Sequence, residues 1–138
     1  MVGISLICHG KMAEGMKDSV GLIIGEQKQF NVLGLFEGND FDKFTNDAYE
    51  TIAGSDDGQG VLVFVDLLGA SPYNAASMNV TKLRENNINI RVITGVNLPM
   101  LIEAFMQREI AESLDELYPA ILSSGKNSIT ELFEELGK

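Results

Sequence analysis

The sequence predicts an α/β chain, a doubly wound and mainly parallel sheet with helices on both faces. Short apolar runs rich in β-branched residues alternate four times with segments of helical period. The most apolar run, Val61 to Val65, has no polar residue on either face, as a strand covered on both sides requires. The first and third runs end in turns of small and polar residues, HGK and DLLGASP, that open onto helical patterns.

Each element has its own signature. Residues 3 to 8 form the first strand, and behind it Met12, Met16, Val20, Ile23 and Ile24 recur at helical spacing, with Gly25 as the stop. Residues 30 to 36 form the second strand. Asp40 then caps a helix whose inner face is Phe41, Phe44, Ala48, Tyr49 and Ile52. The polar stretch 54 to 60 is a loop. After the third strand, Ser71 stands at an N-cap position with Pro72 first in the helix, whose inner face runs through Ala75, Ala76, Asn79, Val80 and Leu83 to a stop at Asn86 and Asn87. Residues 88 to 93 form the fourth strand, and TGVNLP turns the chain into a helix faced by Leu101, Ala104 and Phe105. Ser113 and Glu116 have capping-box spacing, and Leu114, Leu117, Tyr118 and Ile121 follow helically despite Pro119. Ile129, Leu132, Phe133 and Leu136 also read as helical. Right-handed crossovers arrange the strands 2-1-3-4, so the ends of strands one and three form the two lips of one crevice. No repeat or linker divides residues 1–138, which read as a single domain.

Composition bounds the function. With 138 residues, 45% of them apolar, the chain suits one core. Its net charge of −10 argues against nucleic acid and anionic membrane, both of which need clustered Lys and Arg, and favours protein partners. No apolar run reaches bilayer length and the N-terminus lacks the pattern of a signal peptide, so a cytoplasmic location is expected. One Cys and one His supply too few soft ligands for zinc, although magnesium held by carboxylates stays open. The six Met residues read as core filler.

The chemistry concentrates at the crevice. His9, the only histidine, directly follows the first strand, and Gly10 after it lets another backbone approach. Asp66 ends the third strand on the opposite lip. A carboxylate that accepts from one ring nitrogen fixes the tautomer and leaves the other nitrogen as nucleophile or base. The N–H groups of Gly69, Ala70 and Ser71, with the Ser71 hydroxyl, form an anion site at a helix start, sized for a single phosphoryl group. No nucleotide-cradling glycine pattern is present. Cys8 reads as a buried strand residue.

HG at 9 and 10, VDLLGASPYNAAS from 65 to 77 and TGVNLPMLIE from 94 to 103 together resemble the mannose-type enzyme IIA components of the bacterial phosphoenolpyruvate-dependent sugar phosphotransferase system. The likeness runs over nearly the whole chain in order and spacing. It implies a phosphotransferase in which His9 takes a phosphoryl group from the phosphocarrier HPr and passes it to enzyme IIB, for sugar uptake and phosphorylation by membrane permease subunits. Asp66 then holds the histidine and Ser71 lies beside the phosphoryl group. Gly10, Lys11, Leu68, Gly69, Ala70, Asn97, Leu98 and Pro99 line the phosphoryl and partner surface. Ala70 stands where the family has a second glycine. The resemblance implies no cofactor and no metal. It also implies a homodimer that exchanges an antiparallel fifth edge strand, about residues 127 to 133, after a helix from 113 to 124, against the helical period there. Two neighbouring readings are a phosphohistidine subunit of a dihydroxyacetone phosphotransferase and a regulatory module that senses phosphorylation.

Overall fold

The structure is a computed structural model describing residues 1–138. Four parallel strands, β1 (Gly3–His9), β2 (Phe30–Leu35), β3 (Val61–Val65) and β4 (Ile90–Ile93), form one sheet in the order β2-β1-β3-β4. The helices are α1 (Met12–Ile24), α2 (Phe41–Ala53), α3 (Ser71–Met78), α4 (Val80–Glu85), α5 (Leu98–Gln107), α6 (Leu114–Asn127) and the single turn α7 (Leu132–Glu135).

The pleat sorts the strand residues into two cores. Ile4, Leu6 and Cys8 of β1 lie with Leu62 and Phe64 of β3 against α1, α5 and α6. Ile7, Val61, Val63 and Val65 face α2, α3 and α4. Ser5 also points to this second side, where its hydroxyl meets that of Ser55 at 2.8 Å and Asn31 Nδ2 donates to the same Ser55 oxygen at 3.0 Å. Being polar and buried, Ser5 and Ser55 need each other. Parallel registers pair Ile7 with Leu33 on one side and with Val65 on the other. His9 and Asp66, each just beyond that level, therefore emerge side by side at the carboxyl end of the sheet.

Caps fix the helix starts. Lys43 N–H donates to Asp40 Oδ2 at 3.0 Å, and Glu116 N–H donates to Ser113 Oγ at 3.2 Å. At the opposite end of the sheet, Arg108 is 2% exposed and donates to the carbonyls of Val2 (3.3 Å) and Lys28 (2.7 Å). It thereby ties the end of α5 to the entries of β1 and β2.

Several details differ from the sequence reading. The helix expected from Pro72 to Asn86 is broken at Asn79, whose side chain donates to Thr45 O (2.8 Å) and Ala75 O (2.9 Å) and so joins the break to α2. The inner face of α1 is carried by Ala13 and Val20, while Met12 and Ile23 are exposed. Met78 and Met106 are exposed too, so methionine is only partly core filler. The fourth strand starts at Ile90 rather than Ile88.

No fifth strand forms over 127–133, and the sheet is wholly parallel. Instead α6 runs on to Asn127, Ser128 Oγ donates to Gly125 O at 2.7 Å, and the Glu131 carboxylate accepts from the N–H groups of Phe133 (3.0 Å) and Glu134 (3.2 Å). In one chain these local caps satisfy the backbone at once, whereas an edge strand has to find a partner first. The helical period at Leu132 and Phe133 describes the single chain correctly. No helix is long and apolar enough to cross a membrane.

Gly3 and Gly15 give a matched stability test. A Cβ on Gly3 would collide with the Ser55 carbonyl, whereas one on Gly15, inside α1, would meet open space. Urea denaturation should find Gly3→Ala destabilised by about 1–3 kcal/mol and Gly15→Ala stabilised by about 0.5–1 kcal/mol.

Candidate functional site

His9 is the last residue of β1, and Gly10 turns the chain away with φ at +57° while its N–H donates to Leu35 O at 2.7 Å. Asp66 follows β3 directly. Its Oδ2 accepts from the His9 backbone N–H at 2.8 Å and lies 2.7 Å from His9 Nδ1, while Oδ1 accepts from the Leu67 N–H at 2.9 Å. The carboxylate thus grips both the main chain and the ring of His9. The Asp66 side chain is 10% exposed, against 45% for His9.

Electrostatics fix the roles. Burial pushes the Asp66 carboxyl upward, but the hydrogen bonds from His9 N–H, the His9 ring and Leu67 N–H, with attraction to the ring, together outweigh it and hold the carboxyl below its ordinary value. An anionic Asp66 requires a donor opposite it. Nδ1 therefore carries the proton, and Nε2 keeps its lone pair on the outward side of the ring. Beneath the ring, Cys8 is fully buried, and burial first, then repulsion from Asp66, pushes its thiol up to about 12.

The turn after Asp66 forms the other lip. Leu67 and Leu68 are exposed, and Gly69 takes φ at +80°. Ala70, not Ser71, is the N-cap of α3. Ser71 is the first helical residue and its hydroxyl makes no capping hydrogen bond. This one-residue displacement leaves that hydroxyl, half-buried beside the turn, without a structural task. Asn74 steadies the turn by donating to Gly69 O at 3.2 Å, a role the sequence did not signal.

The loop after β4 forms a third wall. Gly95 N–H donates to Asp66 O at 3.1 Å and Val96 N–H to Val65 O at 3.2 Å. Asn97 caps α5 through Met100 N–H (3.0 Å) and donates to Gly125 O (3.1 Å), so both ends of its side chain are engaged internally. Leu98 is half-buried and Pro99 exposed as α5 begins, and Lys11 is exposed at the start of α1. The sequence reading passed over Met12, Phe36 and Leu67, which are exposed around the same end of the sheet. Two adjacent leucines in a surface turn were the available signal, since an exposed apolar patch marks an interaction face. No three His, Cys, Asp or Glu side chains converge to hold a metal. The largest depression, about 700 Å³, runs along α1 from Lys11 to Phe30 and excludes both His9 and Asp66.

Comparison with known proteins bears on this arrangement. Residues 3–122 match the family model described as PTS system fructose IIA component. Over 131 residues the chain is 31% identical to the PTS system mannose-specific EIIAB component of Escherichia coli strain K12, covering 95% of this chain and 39% of that protein. It thus spans about two-fifths of the length of that relative. Among solved structures, the phosphotransferase system component EIIA from Streptococcus agalactiae superposes with a TM-score of 0.81 at 28% identity, covering 95% of this chain and 97% of that one. The mannose/sorbose specific IIA subunit from Enterococcus faecalis also gives 0.81, at 26% identity, with 95% and 94% covered.

Because the folded state lowers the pKa of Asp66, its contribution to stability is complete above the ordinary Asp value of about 3.9 and is lost as pH falls through the lower folded value. Urea denaturation of the native protein and Asp66→Asn across pH 2 to 6 should show a gap in stability that is constant above about pH 5 and closes toward the acid end.

Proposed function

The chain belongs to the mannose-type IIA family of the bacterial sugar phosphotransferase system, and from that premise we propose that it is a phosphoryl-relay subunit whose carrier is His9. The observation that carries the reading is the 2.7 Å contact of Asp66 with Nδ1, which leaves Nε2 outside that contact on a side chain 45% exposed. In the first half-reaction Nε2 attacks the phosphorus of phospho-HPr in line. The Nε2–P bond forms as the bond from phosphorus to the donor imidazole breaks, and the donor ring leaves with the electron pair. Nδ1–H stays on Asp66, whose charge stabilises the positive charge that develops on the ring. The N–H groups of Gly69 and Ser71 and the Ser71 hydroxyl receive the phosphoryl oxygens, while the Ala70 N–H is turned to Leu67 O at 3.4 Å. In the second half-reaction enzyme IIB attacks the same phosphorus and His9 is the leaving group, with membrane permease subunits beyond.

The shape of the site supports a protein visitor. The depressions along α1 and beside β4 leave out His9 and Asp66, while Met12, Phe36, Leu67 and Leu68 offer an exposed apolar rim of the sort that protein interfaces bury. Residues 1–138 act in this reading as one IIA unit in the cytoplasm, where both phosphoprotein partners meet it. The working form is a homodimer. The outer edge of β4 is open, a groove lined by Ile90, Val92, Tyr118 and Leu122 runs beside it, and Ile129, Leu132, Phe133 and Leu136 of the tail are exposed. A second copy that covers that edge with its tail buries both sets.

Incubation with phosphoenolpyruvate, enzyme I and HPr should add one acid-labile phosphoryl group to the native protein and none to His9→Ala, as read by intact mass. A folded native protein that stays unmodified would end the relay reading. Asp66→Asn, which disturbs the ring tautomer, should slow acceptance by roughly 10²–10⁴-fold while the chain stays folded. Sedimentation should give a dimer for the full chain and a monomer after removal of residues 129–138, whereas an unchanged mass would rule the tail out of the interface.

A further inference from the structure

Asn97 does more than cap a helix. Capping needs only its oxygen, which accepts from Met100 N–H at 3.0 Å, and Asp or Ser would serve that purpose equally well. The amide nitrogen is used elsewhere, donating to Gly125 O near the end of α6 at 3.1 Å. That carbonyl also accepts from Ser128 Oγ at 2.7 Å, at the root of the C-terminal tail. Gly125 is buried, and a Cβ there would meet the Met100 side chain, its mobile Cε first and its Cβ at 3.1 Å, so α6 and the first turn of α5 are closely packed around this bond. On its other side Asn97 is covalently continuous with Gly95 and Val96, whose N–H groups hang on the carbonyls of Asp66 and Val65. A bonded path thus leads from the tail root through Gly125 and Asn97 to the peptide of Asp66, whose carboxylate grips His9.

We propose that Asn97 is a positioning residue that clamps the crevice wall to the end of α6 and so sets the alignment of the Asp66–His9 pair, making that alignment sensitive to the disposition of the C-terminal tail. Its consequence for turnover rests on the relay reading above, but the geometry at His9 can be read without it. A displacement of the wall by a fraction of an ångström moves the carboxylate against the ring and misdirects Nε2, and orientation errors of about 1 Å cost a reaction up to roughly 10²-fold.

Two variants of the full-length chain separate this role from others. Asn97→Asp keeps the cap oxygen and loses the donor to Gly125. Gly125→Ala leaves Asn97 intact, crowds the Met100 side chain and presses α6 from α5 by a few tenths of an ångström at the Met100 Cβ. In the unphosphorylated protein, ring ¹⁵N and Nδ1–H NMR signals of His9 should move in both variants, in the same direction, with circular dichroism unchanged. With phospho-HPr, kcat should fall by roughly tenfold while KM stays within about twofold. Native His9 signals in both variants would overturn the inference, even if one of them is less stable. A raised KM with native kcat and native ring signals would also overturn it, because Asn97 would then act on the partner directly. A native protein that accepts no phosphoryl group would sink the relay reading alone, since the ring signals decide the clamp independently.

Discussion

One oxygen atom organises the functional end of this protein. Asp66 Oδ2 receives both the backbone N–H and the ring Nδ1 of His9, so a single acceptor fixes where the histidine begins and which way its ring faces. That double contact is possible only because β1 and β3 are adjacent and in a register that brings Ile7 level with Val65. Adjacency in turn requires the chain to place its second strand on the outside and return across the first, which is the strand order observed. The two apolar cores keep the strands fixed, and the carboxylate converts that rigidity into a fixed orientation of the imidazole.

The apolar rim and the acidic body divide the work of recognition. A net charge of −10 repels acidic surfaces and attracts basic ones at a distance, and the effect weakens with salt. Contact energy has to come from apolar surface, and around His9 that surface is supplied by turn and strand-end residues rather than by a pocket. Such a face suits brief protein contact, which is what the proposed relay asks of it.

The strand order, the alternation of elements and the meeting of His9 with Asp66 were legible in the sequence, because each follows from period and chirality. Strand ends are sharp where an unbroken apolar run meets a carboxylate or a glycine, as at Val65 and His9. Features set by contact between distant elements were not legible. Asn79 looks like an ordinary inner-face residue until α2 presents the Thr45 carbonyl to it. Ser71 fits the cap pattern, but the turn places Ala70 there, and a one-residue shift lies below what local preference resolves. The tail was the hardest case, since Ile129, Leu132 and Phe133 fit a strand face or a helix face equally well. In a single chain the Glu131 carboxylate tips Leu132 and Phe133 into a helical turn, while Ile129 stays outside it.

The sulfur beneath the ring completes the picture. Cys8 is adjacent in sequence to the histidine, yet its thiol is sealed in the sheet and holds its proton far above neutrality. Thiolates, not thiols, capture electrophiles and react with peroxides. In the proposed relay, the imidazole thus has no thiolate beside it to compete for the phosphorus. Oxidants that act on exposed thiolates find none to reach at this end of the sheet.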